Sequence, residues 1–594
     1  MFIASTGSGR GLFASSPVVP GTDLFTTPCN AQAITSASAC SNCGLEPEAG
    51  SAHTHCTGCT FLRYCGRGCQ ALDWPAHKHE CGALRQAAAG GLTALSPTVR
   101  LVSRLLRAGA GAASAALPAP ALEGPLEGLR ASLEGPAGIA SLATNYSLHS
   151  QEDLGSYAPL CPPILLLLQG AQPQPSPRQV LTMCAAARCS AFTLCDSEQR
   201  PFGLATFGLG ALLNHSCSPT ALAHFEAAPG RRLQQRLRCT AALAKGAEVT
   251  IAYCEVAAPT HLRRAELQRG YFFACACSRC AQMAATEQLL AQQPSSSSAA
   301  AVAALQLLPA LPTEPAAGSS APGSQPAAAA QAAEEQGLQG PLPAWRYLQA
   351  HSQEDLAMLS LPCTATPACP GTLLVLPSPQ PVRGEGEGEG EGGRGEGGSG
   401  CGGGGAALLP LFGTPCSACA APLPPRTAAA LAALFPAVAA LKAGRAPGSS
   451  SGSGSSSSSV VPSPTPQAHL AACLAALAQA QALGLPPRHY LLFTAAAAAA
   501  HAAVAAGAWG AGLGAGELAV EGLAHAHPPG HPVPPLHAAL LGKLAHFLEQ
   551  PAVAAVHFQR ALLGLRRTHG KEHGLCLDIE ERLASASDEA GARV

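Results

Sequence analysis

The segment Asn214-His215-Ser216-Cys217-Ser218-Pro219 and the downstream cluster Cys275-x-Cys277-x-x-Cys280 decide how the fold of this chain is interpreted. An amide, an imidazole and a thiol so close in sequence rarely serve a hydrophobic core. The downstream cluster supplies three thiolates to a tetrahedral zinc ion, which needs four ligands. Cys217 is the obvious fourth ligand; the alternative is a set of unrelated buried cysteines. Such a zinc site would hold the Asn-His segment against the aromatic run Tyr271-Phe272-Phe273.

The composition restricts the classes of function. The 594 residues include 35 Lys and Arg against 36 Asp and Glu, so no basic surplus favours bulk binding of nucleic acid or of an anionic membrane. Aromatic residues make up 4% and charged residues 12%, and much of the 47% hydrophobic fraction is alanine in low-complexity runs. Long stretches of the chain therefore cannot build a dense core, and we expect several domains joined by linkers. We also expect the protein to be a monomer.

The spacing of the cysteines and the lack of a secretory signal at residues 1–20 favour a location inside the cell. Many of the 25 cysteines occur in paired short spacings, and such cysteines in an intracellular chain are more often metal ligands than disulfides. Residues 1–20 lack the charged start and apolar block of a secretory signal, so we expect a location in the nucleus or the cytoplasm. The run 494–515 is long enough to span a bilayer, but it is mostly Ala and Gly. It predicts a small-residue packing helix, and we expect no membrane association.

Upstream of the Asn-His segment, a set of cysteines and one histidine has the spacing of zinc ligands. The pairs are Cys40-x2-Cys43, Cys56-x2-Cys59, Cys65-x3-Cys69 and His77-x3-Cys81. Two-residue gaps suit turns whose thiolates converge on one metal, and three-residue gaps place both ligands on one face of a helix. The three-residue gap before Cys81 selects His77 as the ligand in place of His79. The set suffices for two tetrahedral zinc ions; buried or disulfide-bonded cysteines are the alternative.

The remaining pattern alternates between strands, helices and low-complexity tracts. Short strands are predicted in residues 1–34 and at 191–194, 221–225 and 248–253, and helical periodicity covers 91–186. Residues 282–345 predict a flexible linker, and the tracts 376–405 and 446–466 are predicted to be disordered. Further helices are predicted at 427–442, 467–483, 490–506, 535–549, 551–568 and 575–587. The helices around 538–544 and 552–558 resemble a tetratricopeptide-type hairpin.

The zinc-ligand spacings, the Asn-His segment and the aromatic run together resemble the SET-domain lysine methyltransferases that carry an inserted MYND zinc finger, the SET-and-MYND family. The resemblance runs, with gaps, through most of residues 1–280 and returns at 565–573. It implies an α+β fold in which a β-rich SET core is split by the finger and a helical insert and is followed by an α-helical, TPR-like domain. The implied boundaries are 1–39 for the N-terminal part of SET, 40–81 for the MYND finger, 82–186 for the helical insert, 187–256 for the C-terminal SET core, 257–281 for a post-SET zinc cluster, 282–345 for the linker and 346–594 for the helical domain.

The finger itself matches the MYND pattern closely at Tyr64-Cys65, Gln70 and Trp74. The resemblance implies cross-braced zinc sites, one with Cys40, Cys43, Cys65 and Cys69 and the other with Cys56, Cys59, His77 and Cys81. A zinc finger of this size folds only with its metal. MYND fingers resemble protein-binding modules more than catalytic ones, so peptide partners are expected beside a protein substrate.

The resemblance also implies the activity, methyl transfer from S-adenosylmethionine to lysine in histones or other proteins. The amine must be uncharged, and a dry aromatic channel disfavours the ammonium form. Tyr253, Tyr271 and Phe273 are the candidate catalytic residues of this channel. In the family the tyrosine that matches Tyr253 orients the amine and the methyl group; a strand-end tyrosine that caps the core is the alternative.

Cofactor contacts are implied at Gly9, Arg10, Gly11, Asn145, Asn214, His215, Tyr253 and Phe273. Glycine permits the close backbone approach that the Gly-x-Gly strand turn of the family makes to the cofactor. Asn145 is assigned by spacing alone, and its alternative is a helix cap. For Asn214 the alternative is a turn stabilised by its side chain.

Two further zinc sites are implied downstream. The third has Cys217, Cys275, Cys277 and Cys280 as ligands. A fourth is predicted at Cys363, Cys369, Cys416 and Cys419, since some plant-type relatives resemble this layout. The long insertion inside it adds little to the entropy cost of closing the loop.

The sequence departs from the family at Ser190, where members commonly have Asn before a small residue and Phe. Loss of that amide would loosen a contact to the cofactor or to the lysine. The alternative function is therefore a MYND-type zinc-binding adaptor that binds partner peptides without catalysis. The sequence identifies neither the substrate protein nor the number of methyl groups transferred.

Overall fold

The computed structural model describes residues 1–6, 9–36, 38–48, 50–89, 96–109, 123–171, 173–281, 353–365, 369–377, 411–413, 416–419, 421–442, 444 and 464–592. The predicted linker 282–345 and most of the predicted tracts 376–405 and 446–466 lie outside these residues. Within them, no helix is both long and apolar enough to cross a membrane.

The first half of the chain mixes short strands with helices, which confirms the predicted α+β class. In chain order the elements are β1 (Phe2–Thr6), β2 (Gly9–Phe13), β3 (Asp23–Pro28), β4 (Ala31–Ile34), β5 (Thr54–His55), β6 (Arg63–Tyr64), α1 (Arg67–Ala89), α2 (Pro97–Gly109), β7 (Gly124–Pro125), α3 (Leu126–Glu134), α4 (Pro136–Ala140), α5 (Gln151–Tyr157), α6 (Cys161–Leu167), α7 (Pro177–Ser190), β8 (Ala191–Cys195), β9 (Pro201–Thr206), β10 (Asn214–His215), β11 (Ala221–Glu226), β12 (Gln234–Cys239), β13 (Thr250–Ile251) and α8 (Thr260–Tyr271).

Small sheets bring segments together that are distant in sequence. Strand β1 pairs with β2 and β7, β12 lies between β11 and β3, and β9 lies between β4 and β8. The short strands β10 and β13 pair in parallel. The segment 248–253, predicted as one strand, is a strand only at 250–251. At its start Glu248 bridges to Phe13, and at its end the backbone N–H of Tyr253 donates to a side chain instead of a neighbouring strand.

A buried network of charged side chains joins α1, the helix of the cysteine-rich module, to α2. Arg104 donates to Oδ1 of Asp73 at 2.9 Å and to a carboxylate oxygen of Glu80 at 2.5 Å. The Tyr64 hydroxyl donates to Asp73 at 2.7 Å, and Arg100 donates to Glu80 at 3.1 Å. All five side chains are buried. Removal of any one charge would leave another unpaired in the interior, which costs more than the pair contributes.

Beyond residue 352 the described residues form a three-stranded sheet followed by a series of helices. The elements are α9 (Gln353–Leu359), β14 (Ser360–Pro362), β15 (Thr372–Pro377), β16 (Leu411–Gly413), α10 (Pro425–Lys442), α11 (Pro466–Ala482), α12 (Tyr490–Ala505), α13 (Trp509–Ala526), α14 (Val533–Phe547), α15 (Pro551–Thr568) and α16 (Gly574–Ala592). The sequence pattern predicted the helical character of this part and did not include the sheet.

The run 494–515 was predicted as one helix and is divided between α12 and α13. Gly507 has a left-handed φ of 72° just after α12, the conformation in which many helices end. The small residues do serve close packing, because a Cβ added to Gly512 would lie 3.3 Å from the Cβ of Ala503. The helix predicted at 490–506 is confirmed by α12, whereas a single helix that continues to residue 515 is wrong, because a run of Ala and Gly carries little periodic signal.

Candidate active site and metal centres

Asn214 ties the end of β10 to two other segments of the molecule. Its Nδ2 donates to the backbone carbonyl of Arg10 at 3.2 Å and to Oε1 of Glu248 at 2.7 Å. A Cβ at Gly11 would lie 2.5 Å from the same Oε1, so glycine allows this close approach. The predicted cofactor residues Gly11 and Asn214 are thus brought together around one carboxylate.

His215 connects this segment to Tyr253 and to the cysteine cluster. Its Nδ1 accepts the backbone N–H of Tyr253 at 2.9 Å, so a neutral ring carries its proton on Nε2. The Nε2 atom lies 3.2 Å from Sγ of Cys217. The imidazole therefore fixes the position of Tyr253 relative to the predicted zinc ligands.

Tyr253, Tyr271 and Phe273 pack together beside the same cysteine cluster. The two tyrosine rings are 4.7 Å apart, and the Phe273 ring lies 6.0 Å from His215. Phe272 ends α8 with a left-handed φ of 65°, which turns the backbone between the two flanking aromatic residues. The structure thus brings the predicted channel residues to one place.

The hydroxyl groups of both tyrosines are held by backbone carbonyls. Tyr253 donates to the carbonyl of Leu213 at 2.5 Å, and Tyr271 donates to the carbonyl of Tyr253 at 3.4 Å. Burial raises the pKa of Tyr253. Burial and then the charge of Glu266 raise the pKa of Tyr271 to about 12. Both phenols are therefore neutral near pH 7.

Asn145 lies at the tyrosine cluster and does not act as a helix cap. It precedes the 3₁₀ turn Tyr146–Leu148 with a left-handed φ of 46°, but its side chain makes no capping hydrogen bond. Instead Nδ2 lies 3.5 Å from the carbonyl oxygen of Tyr271 and 3.6 Å from Sγ of Cys189. Both contacts are long, so the amide can take a shorter partner.

Arg10 reaches from β2 to the helical segment that follows β7. Its Nη2 donates to the carbonyl of Ser141 at 2.8 Å. Its Nη1 is buried and has no hydrogen-bond partner among the described residues. Burial lowers the pKa of the guanidinium. A buried donor of this kind is available to a bound polar group.

Glu248 and Cys254 belong to the site and were missed in the sequence. The thiol of Cys254 lies within 4.8 Å of the ligand atoms of His215 and Cys217. Proximity in sequence to the predicted catalytic tyrosine is the signal that could have found both residues. Ser190, the departure from the family pattern, is the last residue of α7 and is buried.

Within the described residues, four groups of four metal-ligating side chains have their ligand atoms within 4.8 Å of one another. A tetrahedral zinc ion with Zn–S bonds of about 2.3 Å places its sulfur atoms about 3.8 Å apart. The Sγ atoms of Cys65 and Cys69 are 3.4 Å apart and those of Cys56 and Cys81 are 3.9 Å apart. These cysteines are free thiols and not disulfides. Their geometry and donor atoms fit zinc.

Two of these groups lie in residues 40–81. They divide the ligands as the cross-braced pattern implies: Cys40, Cys43, Cys65 and Cys69 in one group, and Cys56, Cys59, His77 and Cys81 in the other. Nε2 of His77 lies 3.6 Å from Sγ of Cys59 and 3.3 Å from Sγ of Cys56. His77 is thus the member of the group, and His79 is not.

The third group, Cys217, Cys275, Cys277 and Cys280, is formed where the Asn-His segment meets the end of α8. The Sγ atoms of Cys217 and Cys280 are 3.6 Å apart. Cys217, Cys275 and Cys280 are buried, and the group packs against both channel tyrosines.

The fourth group, Cys363, Cys369, Cys416 and Cys419, joins the loop between β14 and β15 to the segment that follows β16. The Sγ atoms of Cys363 and Cys419 are 3.6 Å apart, as are those of Cys369 and Cys416. A Cβ at Gly371 would lie 2.3 Å from Sγ of Cys416, so the backbone passes directly over this ligand. Cys419 is exposed to solvent.

Two cavities lie elsewhere. A cavity of about 350 Å³ lies between the cysteine-rich module and α2, and one of about 440 Å³ lies between α2 and α7. Neither is lined by the residues that the family resemblance assigns to the cofactor.

Comparisons with known proteins match the zinc module and, for the relatives, about half of the chain. The MYND finger family model matches residues 40–81, which confirms the predicted finger. N-lysine methyltransferase SMYD2-B of Danio rerio is 30% identical over 287 residues, 47% of this chain and 59% of that protein. Histone-lysine N-methyltransferase ASHR1 of Arabidopsis thaliana is 29% identical over 276 residues, 46% of this chain and 53% of that protein. The chain thus covers less than two thirds of the length of these relatives.

Proposed function

We propose that this chain, a SET-and-MYND protein by its zinc finger and its relatives, transfers methyl groups from S-adenosylmethionine to lysine side chains of proteins. The observation that carries the proposal is the packing of the Tyr253 and Tyr271 rings, 4.7 Å apart, on the Asn-His segment. The hydrogen bond of 2.9 Å from the Tyr253 N–H to Nδ1 of His215 fixes the position of Tyr253 on this segment. Histones and other proteins are both candidate substrates.

The finer assignment of the fold is part of the same proposal. Residues 1–39 and 187–256 would form the SET core, with 82–186 as its helical insert and 257–281 as the post-SET cluster. The consecutive helices α14 and α15 pack against each other, as the helices of a TPR-type hairpin do. The helical part would form one wall of the substrate cleft.

The residues around Asn214 fit the donor and acceptor groups of S-adenosylmethionine. Arg10 has a buried donor without a partner among the described residues, and the Asn145 amide makes only long contacts. Gly9 has a φ of 110°, and Gly11 allows close approach of the backbone. These residues would hold the cofactor by amide and backbone hydrogen bonds. When bound there, the cofactor supplies a methyl group on a sulfonium ion.

Tyr253, Tyr271 and Phe273 act on the lysine amine. Their burial disfavours the ammonium form and excludes water, so the amine enters with its lone pair free. The Tyr253 hydroxyl is fixed by the carbonyl of Leu213, and its oxygen can therefore accept an N–H of the amine and aim the lone pair. Orientation of this kind is the main contribution that we expect from the protein. The ammonium proton is lost to water, and no side-chain base is assigned.

The proposal includes the metals and partners. Zinc in the third group would hold the channel tyrosines against the Asn-His segment. The MYND finger would bind peptides of partner proteins. The protein would act as a monomer in the nucleus or the cytoplasm.

Transfer of labelled methyl groups into purified histones and a cell lysate tests the proposal. We expect labelled lysine with the wild type and a loss of about 100-fold with Tyr253→Phe and with Asn214→Ala, because both variants lose orientation. Arg488→Ala, which removes an exposed ion pair with Glu521, is the control and should keep full activity.

Ser190 is buried and stands where members of the family commonly have Asn. The loss of that amide favours the second candidate function, an adaptor that does not catalyse. Calorimetry with S-adenosylmethionine separates the two functions, because an adaptor has no reason to bind a sulfonium ligand. Folded, zinc-loaded protein that neither labels any substrate nor binds the cofactor would establish the adaptor and reject the methyltransferase.

A further inference from the structure

Two acceptor atoms lie close together next to the candidate channel residue Tyr253: the buried Nε2 of His527, and Oε1 of Glu255, which also accepts the Ala257 N–H at 3.3 Å and belongs to a side chain that is 36% exposed. Glu255 follows Tyr253 by two residues, and its Oε1 lies 3.7 Å from Nε2 of His527, just beyond α13. Nδ1 of His527 lies 2.8 Å from the carbonyl oxygen of Leu523, so this nitrogen carries the ring proton and Nε2 is an acceptor. Burial lowers the pKa of His527, which keeps the ring neutral.

The His527 acceptor has no partner of its own. Its side chain is 1% exposed, and Nε2 makes no hydrogen bond within the described part of the chain. A buried acceptor without a donor is unfavourable, and the Glu255 oxygen that lies 3.7 Å away is itself an acceptor. This arrangement calls for a ligand with several N–H groups.

An ammonium group of the chain itself already occupies the other side of the carboxylate. Nζ of Lys442, the last residue of α10, lies 2.7 Å from Oε2 of Glu255. The lysine side chain is 42% exposed and therefore faces solvent. The charge of Glu266 also acts on Lys442. The Glu255 carboxylate, the Lys442 ammonium and the neutral His527 ring form this group, the Glu255 site, and Arg279 lies next to it, donating to the carbonyl of Ala526 at 3.0 Å.

We propose that the Glu255 site binds a basic side chain next to the target lysine of the acceptor protein, and that Lys442 is an internal occupant that this side chain displaces. The inference rests on the proposed function, since it names a class of substrate for the same channel. An arginine guanidinium has N–H groups in a planar fork and can donate to Glu255 and His527 together, which a lysine ammonium on one oxygen does not do. Substrates with arginine beside the lysine are therefore favoured.

Peptides provide the test. A library with one central lysine and varied flanking residues is methylated by the wild type, and the best arginine-containing peptide is compared with its citrulline counterpart. We expect the arginine peptide to have a KM about 10-fold lower, the effect of a charge-assisted hydrogen bond. Fluorescence anisotropy of the same two peptides measures binding without catalysis.

Variants separate the two parts of the proposal. Glu255→Gln should remove the difference between arginine and citrulline, and His527→Phe should reduce it. Lys442→Ala should lower the KM of the arginine peptide with kcat unchanged, because the internal competitor is gone. Lys543→Ala is the matched control. Nζ of Lys543 lies 2.9 Å from Oε1 of Glu198, so this ion pair, like that of Lys442, joins a C-terminal helix to the strand-rich part. This control variant should change neither constant.

The failures of the two proposals are distinguishable. Equal KM and equal binding for the arginine and citrulline peptides, with robust methylation of both, would overturn the Glu255 site and leave the methyltransferase. An unchanged KM in Lys442→Ala would overturn the internal occupant. Tight binding of the arginine peptide without methylation by any preparation would reject the methyltransferase, and the Glu255 site would then be a peptide-binding site of an adaptor.

Discussion

Two four-cysteine groups outside the finger have the same ligands and different surroundings. The group of Cys217, Cys275, Cys277 and Cys280 packs on Tyr253 and Tyr271. The group of Cys363, Cys369, Cys416 and Cys419 lies beside a small sheet, and part of it packs in the core with α10 to α12. The same metal chemistry can therefore position reacting groups in one place and attach a sheet to helices in the other.

The first of these groups is linked to both halves of the molecule through Arg279. Arg279, inside its sequence motif, donates to the carbonyls of Cys217 at 2.9 Å and Val256 at 3.0 Å. It also donates to the carbonyl of Ala526 at 3.0 Å and pairs with Glu354. The C-terminal helices thus contact the third group through one guanidinium that is 10% exposed.

Replacement of Cys277 by Ser should have the largest effect. Zinc in the third group is lost, the channel aromatics separate from the Asn-His segment, and methyl transfer falls by more than about 100-fold. Metal analysis and the methyl-transfer assay measure the two changes on the same sample. Full activity with that zinc demonstrably absent would refute the positioning role.

Replacement of Arg279 by Met should come next. The variant leaves the half-buried carboxylate of Glu354 and three carbonyls without their donor, so the free energy of unfolding falls by about 3 kcal/mol. Hydrogen exchange should increase at α9 and at the end of α13, and zinc content should be unchanged. Arg488→Met, on the same helical part but in an exposed pair, is the control. Equal effects of the two variants would show that Arg279 is not a specific link.

Replacement of Cys416 by Ser should leave catalysis nearly intact. The fourth group loses its zinc, and the thermal transition of the C-terminal helices falls by more than about 5 °C. The kcat/KM value should stay within about 3-fold, because distant sites act independently. A wild-type protein with three zinc ions per chain, with all its cysteines reduced, would contradict the fourth site.

Partial removal of metal should have the smallest effect on activity. A chelator reaches the fourth group first, because Cys419 is exposed whereas three ligands of the third group are buried. We expect an early phase in which zinc is released and methyl transfer is unchanged. If activity instead falls in proportion to the first zinc released, the third group loses its metal before the fourth, and the prediction is wrong.

Local spacing predicted the cysteine groups because most of the ligands in each group are close in sequence to another ligand, Cys217 being the exception. The fourth group is an example, since Cys416 and Cys419 are close although the partner pair lies far upstream. Long-range links were not predictable in this way. Arg279 is one of many arginines, and nothing in the sequence indicates that its partners are carbonyls from three distant segments.

The helix break at Gly507 and the short strand before Tyr253 have related explanations. In the first case the helix predicted at 490–506 ends at the turn, but the uniform Ala and Gly composition also allowed one helix to continue to residue 515. In the second, the hydrogen bond from the Tyr253 N–H goes to His215, so tertiary contact overrides strand propensity. The helix propensities of residues 551–568 meet no such competition, and the predicted bounds coincide with those of α15.

The buried charges between α1 and α2 have a consequence for how the protein is made. Asp73 and Glu80 leave the ribosome before Arg100 and Arg104, and the finger that holds them folds only with zinc. Arg100 and Arg104 can therefore pair with Asp73 and Glu80 as they emerge only if the finger has already bound zinc and folded. Shortage of zinc during synthesis would leave α2 without its partners while the later strands emerge. Metal supply would then set the yield of folded protein.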